Sequence, residues 1–140
     1  MAARFELDIE YDYDFQLLGI ASHLPDYRLC WAINRQLGFN LQKSENPIKT
    51  LQKDKLTYVS FDVFCHTDEE HQVEYFLIDN INSGIRLLPE QQQADYLLMV
   101  KGMHASGCRE LMQAVNKIDK VLTTFAIEVE SLKSKEKLLF

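Results

Sequence analysis

The stretch FELDIEYDYDF, residues 5 to 15, alternates between apolar and acidic side chains at every position. A period of two places successive side chains on opposite faces of a strand, whereas a helix would scatter both sets around its circumference. The stretch therefore predicts a half-buried strand of the antiparallel type, with its acidic face in water. That face carries five carboxylates: Glu6, Asp8, Glu10, Asp12 and Asp14.

A row of five carboxylates suggests two kinds of ligand, a metal cation or a basic protein. Alternate residues of a strand lie about 6.5–7 Å apart, so neighbouring carboxylates do not converge on one ion. The turn glycine and the distant glutamate of a calcium-binding loop are also missing from the stretch. We expect a solvated face that lysines of a neighbouring element partly neutralise, or else a surface on which a basic partner docks.

Composition limits the class of protein. A chain of 140 residues, 46% hydrophobic and 26% charged, is of ordinary globular composition and fits one domain. The net charge of −6 argues against nucleic acid and against an anionic membrane surface as partners. No signal peptide or membrane-spanning run is recognisable, and three widely spaced cysteines do not suggest a disulfide framework. These features predict a cytoplasmic protein.

Two segments have helical periodicity. Residues 25 to 37 begin with Pro25 and Asp26, which suit a first turn, and Gly38 follows as a stop signal. Residues 104 to 117 carry a second apolar stripe at helical spacing. We expect both helices to cover the same face of a sheet.

Most of the remaining chain reads as strands. β-Branched and aromatic runs over residues 56 to 65 and 72 to 80 predict a hairpin with its loop at 66 to 71. Residues 85 to 88, 95 to 102 and 121 to 130 predict further strands, whereas residues 41 to 55 read as a polar surface connection. The predicted fold is a single two-layer α+β domain: a mainly antiparallel sheet of five or six strands with two principal helices on one face.

No catalytic or cofactor motif is recognisable. The chain has no G-x-S-x-G elbow, no phosphate-binding loop and no dinucleotide fingerprint. His66 and His71 flank three acids in the predicted hairpin loop, but their spacing matches no compact pair of zinc ligands. We therefore expect no catalytic residues, no metal and no cofactor.

The segment LLPEQQQADYLLMVKG carries a family resemblance. Its signature residues are Leu88, Pro89, Glu90, Ala94, Asp95 and Tyr96. The pattern resembles that of the bacterial IPExxxVDY family of small proteins without an assigned activity, with Leu88 in place of Ile and Ala94 in place of Val. Residues 26 to 34 and the C-terminal LKSKEKLLF are also similar, so the resemblance spans nearly the whole chain. The resemblance implies membership of this family but no particular activity.

The signature permits a structural and a functional interpretation. Structurally, Pro89 opens a turn, Glu90 binds its free amides, and Asp95 braces the entry of the buried strand in which Tyr96 sits. Functionally, Glu90, Asp95 and Tyr96 would contact a ligand. We favour the structural interpretation, since residues of these types usually serve turns.

Two hypotheses of function remain. The first is a non-catalytic protein-interaction module, either a homodimer or a subunit of a larger assembly, whose contacts include the acidic row. The second is a small-molecule binding or sensing domain, with a pocket between sheet and helices that uses Tyr27, Trp31 and Tyr96. A filled core favours the first hypothesis, and a deep aromatic-lined cavity favours the second.

The C-terminal segment, residues 132 to 140, ends in three apolar residues. Leaving them in water would forfeit about 1.5–3 kcal/mol for each residue of this type. We expect Leu138, Leu139 and Phe140 to dock, on their own domain or on a second subunit. The alternative is a disordered tail. In the docked case the preceding lysines, Lys133 to Lys137, would face the acidic row.

Overall fold

The computed structural model describes residues 15–138 of the chain. The acidic row from Glu6 to Asp14 therefore lies outside the described residues, and Phe15 alone represents the predicted first strand. The described part contains two α-helices, α1 (Asp26–Leu37) and α2 (Ala105–Asn116). Its strands are β1 (Phe15–Ser22), β2 (Gln42–Lys43), β3 (Ile48–Leu51), β4 (Tyr58–Phe61), β5 (Val63–Asp68), β6 (Val73–Asp79), β7 (Ile81–Asn82), β8 (Ile85–Arg86), β9 (Tyr96–Lys101) and β10 (Val121–Ile127).

Six of these strands form the main sheet. Their spatial order is β10-β1-β9-β6-β5-β2, and every neighbouring pair is antiparallel. The strands β3 with β4, and β7 with β8, form two additional two-stranded ribbons. The predicted α+β class, with a mainly antiparallel sheet and two helices, is confirmed.

The helices cover one face of the sheet. Leu29 and Ile33 of α1 and Leu111 and Val115 of α2 belong to a single buried cluster. Alternate residues of β9 divide between the two faces, so Leu98 points to the helices while its neighbours in the strand point away. Both helices therefore lie on the same face, as predicted.

The ends of α1 follow from local chemistry. The carbonyl of Pro25 accepts hydrogen bonds from the first free amides, those of Arg28 and Leu29, at 3.0 Å. At the other end Gly38 adopts a left-handed conformation with φ of 72°, and its N–H bonds the carbonyl of Asn34 at 2.8 Å. Glycine reaches this conformation without steric cost, and so it ends the helix.

The opposite face of the sheet is also covered. A second buried cluster joins the β3–β4 hairpin, the turn after β8 and the segment after β10. Leu132 and Leu138 are buried in this cluster, so the C-terminal segment packs on its own domain as far as Leu138. Lys137 Nζ donates to the carbonyl of Leu87 at 2.8 Å. Leu139 and Phe140 lie outside the described residues.

Several details of the predicted strands are wrong. The run 56 to 65 divides into β4 and β5 at Asp62, and β5 continues to Asp68 into the predicted loop. The polar stretch 41 to 55 contains β2 and β3, because the pairing of β3 with β4 overrides its weak alternation. The run 85 to 88 keeps only two residues in a strand, since Leu87 and Leu88 turn into the second cluster. The last strand ends at Ile127, where a short 3-10 turn (Val129–Ser131) begins.

Within the described residues, neither α-helix nor either 3-10 turn has the length and hydropathy that a bilayer crossing requires.

Candidate functional site

The signature loop is built around the buried side chain of Asn80, which follows β6. Asn80 Nδ2 donates to the carbonyl of Ala94 at 2.8 Å, and Oδ1 accepts the N–H of Leu88 at 2.9 Å. The guanidinium of Arg86 binds the same Ala94 carbonyl at 2.9 Å. Ala94 and Leu88 are themselves fully buried, so one amide side chain satisfies backbone groups at both ends of the loop.

Glu90 joins the signature loop to the C-terminal segment. Its carboxylate accepts hydrogen bonds from the N–H of Ser134 at 2.8 Å and from the Ser134 hydroxyl at 3.1 Å. Partial burial opposes the ionisation of Glu90, but these bonds and one from its own amide outweigh it and lower its pKa. The link of Glu90 to Ser134 in the C-terminal segment was not predicted from the sequence.

Asp95 and Tyr96 fix the start of β9 against the chain that follows β1. Asp95 Oδ2 accepts the N–H of Ser22 at 2.9 Å, and the hydroxyl of Tyr96 donates to the carbonyl of Leu24. Burial raises the pKa of Tyr96, helped by Asp79 and other acids nearby. These contacts hold the chain just before α1 in place.

Three aspartates from different elements meet near the start of α1. They are Asp26 at the start of α1, Asp62 between β4 and β5, and Asp79 at the end of β6. One carboxylate oxygen from each lies within 4.8 Å of the others. Lys43 Nζ lies 3.4 Å from Asp62 Oδ2 at the exposed edge of the cluster.

Asp79 is the most perturbed member of this carboxylate cluster. Its Oδ1 atom is buried and accepts no hydrogen bond from an N–H or O–H group of the described residues. Burial raises the pKa of Asp79 from 3.8 to about 8, hydrogen bonding with Asp26 and the charges of Asp26 and Asp62 add to the rise, and Lys43 opposes it. Protonation of Asp79 removes its charge repulsion with Asp26 and Asp62.

The cluster borders an open cleft of about 400 Å³. Asp79, Asp95 and Tyr96 line it together with Ser22, His23 and Leu24. Three converging carboxylates are the donor set of hard cations such as Mg²⁺, and the same oxygens would bind a protonated amine. The arrangement therefore offers either proton exchange or binding of a cationic group.

Among residues 15–138, no histidine or cysteine belongs to a group of potential metal ligands. His66 Nδ1 accepts the N–H of Asn40 at 3.1 Å, whereas His71 Nδ1 bonds Asp68 Oδ2 at 2.9 Å. All three cysteines are free. Burial raises the pKa of the Cys30 thiol to about 12, with smaller contributions from Asp26 and Asp79, so the nucleophilic thiolate is suppressed.

Tyr27 and Trp31 stand one helical turn apart on the outer side of α1. Their side chains are 65% and 60% exposed, whereas Leu29 and Ile33 of the same helix are fully buried. The guanidinium of Arg35 lies 5.3 Å from the centre of a Trp31 ring. Tyr96, in contrast, is buried and lines the cleft described above. The aromatic residues that sequence reasoning grouped in one pocket therefore lie in different surroundings.

A groove of about 340 Å³ runs between α1 and the turn that joins α2 to β10. Leu24, Ala32 and Ile118 supply its apolar lining, and Trp31 also lines it. Its charged residues are four cations and one acid: Arg28, Arg35, Lys117, Lys120 and Asp119. We call this feature the α1 groove. It is a cationic surface on a chain whose net charge is −6.

Sequence reasoning missed the carboxylate cluster and the α1 groove. Asp62 interrupts an apolar strand run and Asp79 ends another, and a charge in such a run was the available signal.

Comparison of the chain with protein-family models, curated proteins and solved structures yields no match.

Proposed function

We propose that this protein is a non-catalytic, cytoplasmic interaction module that docks a protein partner on the outer face of α1. The proposal rests on one observation: Tyr27 and Trp31 are both mostly exposed and lie one turn apart on a helix whose opposite side is packed. Single exposed apolar residues are ordinary. A paired Tyr and Trp is less so, because these residue types dominate the binding energy of protein interfaces.

The chemistry of the thiols supports a non-catalytic role. Cys30 and Cys108 are buried, and burial raises the pKa of both, as it does that of Cys65. The signature residues Glu90, Asp95 and Tyr96 are occupied by hydrogen bonds within the fold. The partner is a second copy of the chain in a homodimer or a different protein.

Affinity capture from the native cells with the full chain as bait tests this function. The bait variant Tyr27→Ala/Trp31→Ala should lose the specific partners. Tyr58→Ala serves as the matched control, since Tyr58 is 63% exposed on the β3–β4 hairpin, away from α1. If Tyr58→Ala abolishes capture and the α1 variant does not, the docking surface is assigned wrongly. Light scattering of the purified wild type decides between homodimer and heteromeric partner.

A second candidate function is the binding of a small cationic molecule in the cleft beside Asp79. The observation that favours it is the convergence of three carboxylate oxygens within 4.8 Å of one another, one of them from Asp79, which lines the cleft with signature residues. Native mass spectrometry of the protein purified gently from its own cells tests it. A bound amine that disappears in Asp79→Asn would support this function, and unliganded wild-type protein would count against it.

A further inference from the structure

Two cations of the α1 groove lie at costly backbone positions, Arg28 because of its charge and Lys120 because it has a side chain at all. Arg28 is in the first turn of α1, at the positive end of the helix dipole, where a cation is destabilising. Lys120 adopts a left-handed conformation with φ of 76°, which costs a non-glycine residue about 1 kcal/mol or more. The Ser22 hydroxyl bonds the Lys120 carbonyl at 2.8 Å and so helps to hold this conformation.

The dipoles of the two helices explain only part of the groove's positive charge. Lys117 follows α2 and Arg35 lies in the last turn of α1, so both complement the negative ends of their helices. Arg28 has no such favourable position, and Lys120 lies in a turn. An anionic ligand would place opposite charge against all four cations when the groove is occupied.

We infer that the α1 groove binds an acidic segment of a protein partner, with carboxylates against its cations and an apolar side chain against Trp31. This inference rests on the proposed function and names the chemistry of the partner. Charge complementarity carries it: the groove concentrates four cations and an exposed indole on an otherwise acidic chain. Arginine and tryptophan are both enriched where partners bind most tightly.

The test uses the full chain and two fluorescein-labelled decapeptides. One alternates glutamate with phenylalanine, and the other has glutamine in place of every glutamate. We expect the glutamate peptide to bind more tightly than the glutamine peptide, and its affinity to fall as salt rises from about 50 mM to about 300 mM, because screening weakens exposed charge pairs. Equal binding of the two peptides would overturn the inference.

Charge reversal in the chain locates the site. Arg28→Glu/Lys120→Glu should weaken binding of the glutamate peptide by about tenfold or more. The control, Lys49→Glu/Lys53→Glu, makes the same change of net charge on exposed residues of the β3–β4 hairpin and should leave binding within about twofold. Equal weakening by both variants would overturn the inference, and circular dichroism confirms that each variant is folded.

Competition with pyrophosphate separates an acidic segment from a small polyanion. Displacement of the peptide by an equimolar amount of pyrophosphate would overturn the inference. The peptide experiments and the cell-based capture can fail independently of each other. If capture depends on Tyr27 and Trp31 but charge reversal has no effect, the docking surface stands and the acidic partner fails. If the peptide binds but capture ignores the α1 variant, the proposed function fails.

Discussion

Replacing Asp79 by asparagine should remove most of the pH dependence of stability between about pH 4 and 8. The carboxyl has a pKa of about 8 in the folded protein against 3.8 for the unperturbed group. A group with a raised folded-state pKa stabilises fully below its unfolded pKa, and its contribution is lost as pH rises through the folded value. The wild type should therefore become less stable as pH rises across this window.

The magnitude follows from the size of the pKa change. A rise from 3.8 to about 8 is worth at most roughly 6 kcal/mol, at about 1.36 kcal/mol for each tenfold change in proton affinity. The Asp79 carboxyl is only partly buried, so solvent screening reduces the effect. We expect the free energy of unfolding of the wild type to fall by about 2–3 kcal/mol more than that of Asp79→Asn.

Urea denaturation followed by circular dichroism, repeated across this pH range, measures the difference. Asp54→Asn is the control: hydrogen bonds from Leu56 and Thr57 lower the pKa of that exposed carboxyl, so its titration acts only at acidic pH. Parallel wild-type and Asp79→Asn curves would refute the raised pKa of Asp79. A wild-type curve that flattens when millimolar Mg²⁺ is added would instead identify the cluster as a cation site.

Four further changes test the packing of the fold by urea denaturation. Deletion of residues 132 to 140 removes two buried leucines and should cost about 3–6 kcal/mol, so unchanged stability would show that the docked tail contributes nothing. Asn80→Ala leaves buried backbone groups of the signature loop unpaired and should cost about 2–4 kcal/mol, and a loss below about 1 kcal/mol would argue against this role. Gly19→Ala places a methyl group about 2.5 Å from the Phe125 ring and should cost about 1–3 kcal/mol, whereas a neutral result would mean that the ring moves freely. Tyr96→Phe removes one hydrogen bond and should cost about 1 kcal/mol, and a fully stable variant would show that the bond is replaced by water.

The elements that sequence reasoning predicted best have local causes. The bounds of α1 follow from Pro25 and Gly38, which act within a few residues of themselves. The strand β9 follows from consecutive apolar residues that only a sheet covered on both faces accommodates. The two-stranded ribbons were only half predicted, because β3 and β7 have weak alternation of their own and form strands by pairing with the neighbouring segments β4 and β8.

The candidate sites were hard to predict for a related reason. Asp26, Asp62 and Asp79 are isolated acids in the sequence, and the antiparallel pairing of β5 with β6 helps to bring two of them together. The α1 groove likewise joins Arg28 to Lys120 across more than ninety positions of the chain. The signature was interpretable because its turn residues lie close in sequence, although its link from Glu90 to Ser134 was not.

The place of β1 in the sheet determines when the fold can be completed. β1 lies between β9 and β10, so neither of its partner strands exists until more than seventy further residues have been synthesised. The strands from β5 to β6 can pair while the chain emerges from the ribosome, because their contacts are local. β1 must wait with its apolar side chains uncovered, and long-range pairing of this kind folds slowly and is exposed to aggregation. We therefore expect the pairing of β1 with β9 and β10 to be a late step of folding, after the local pairing of β5 with β6.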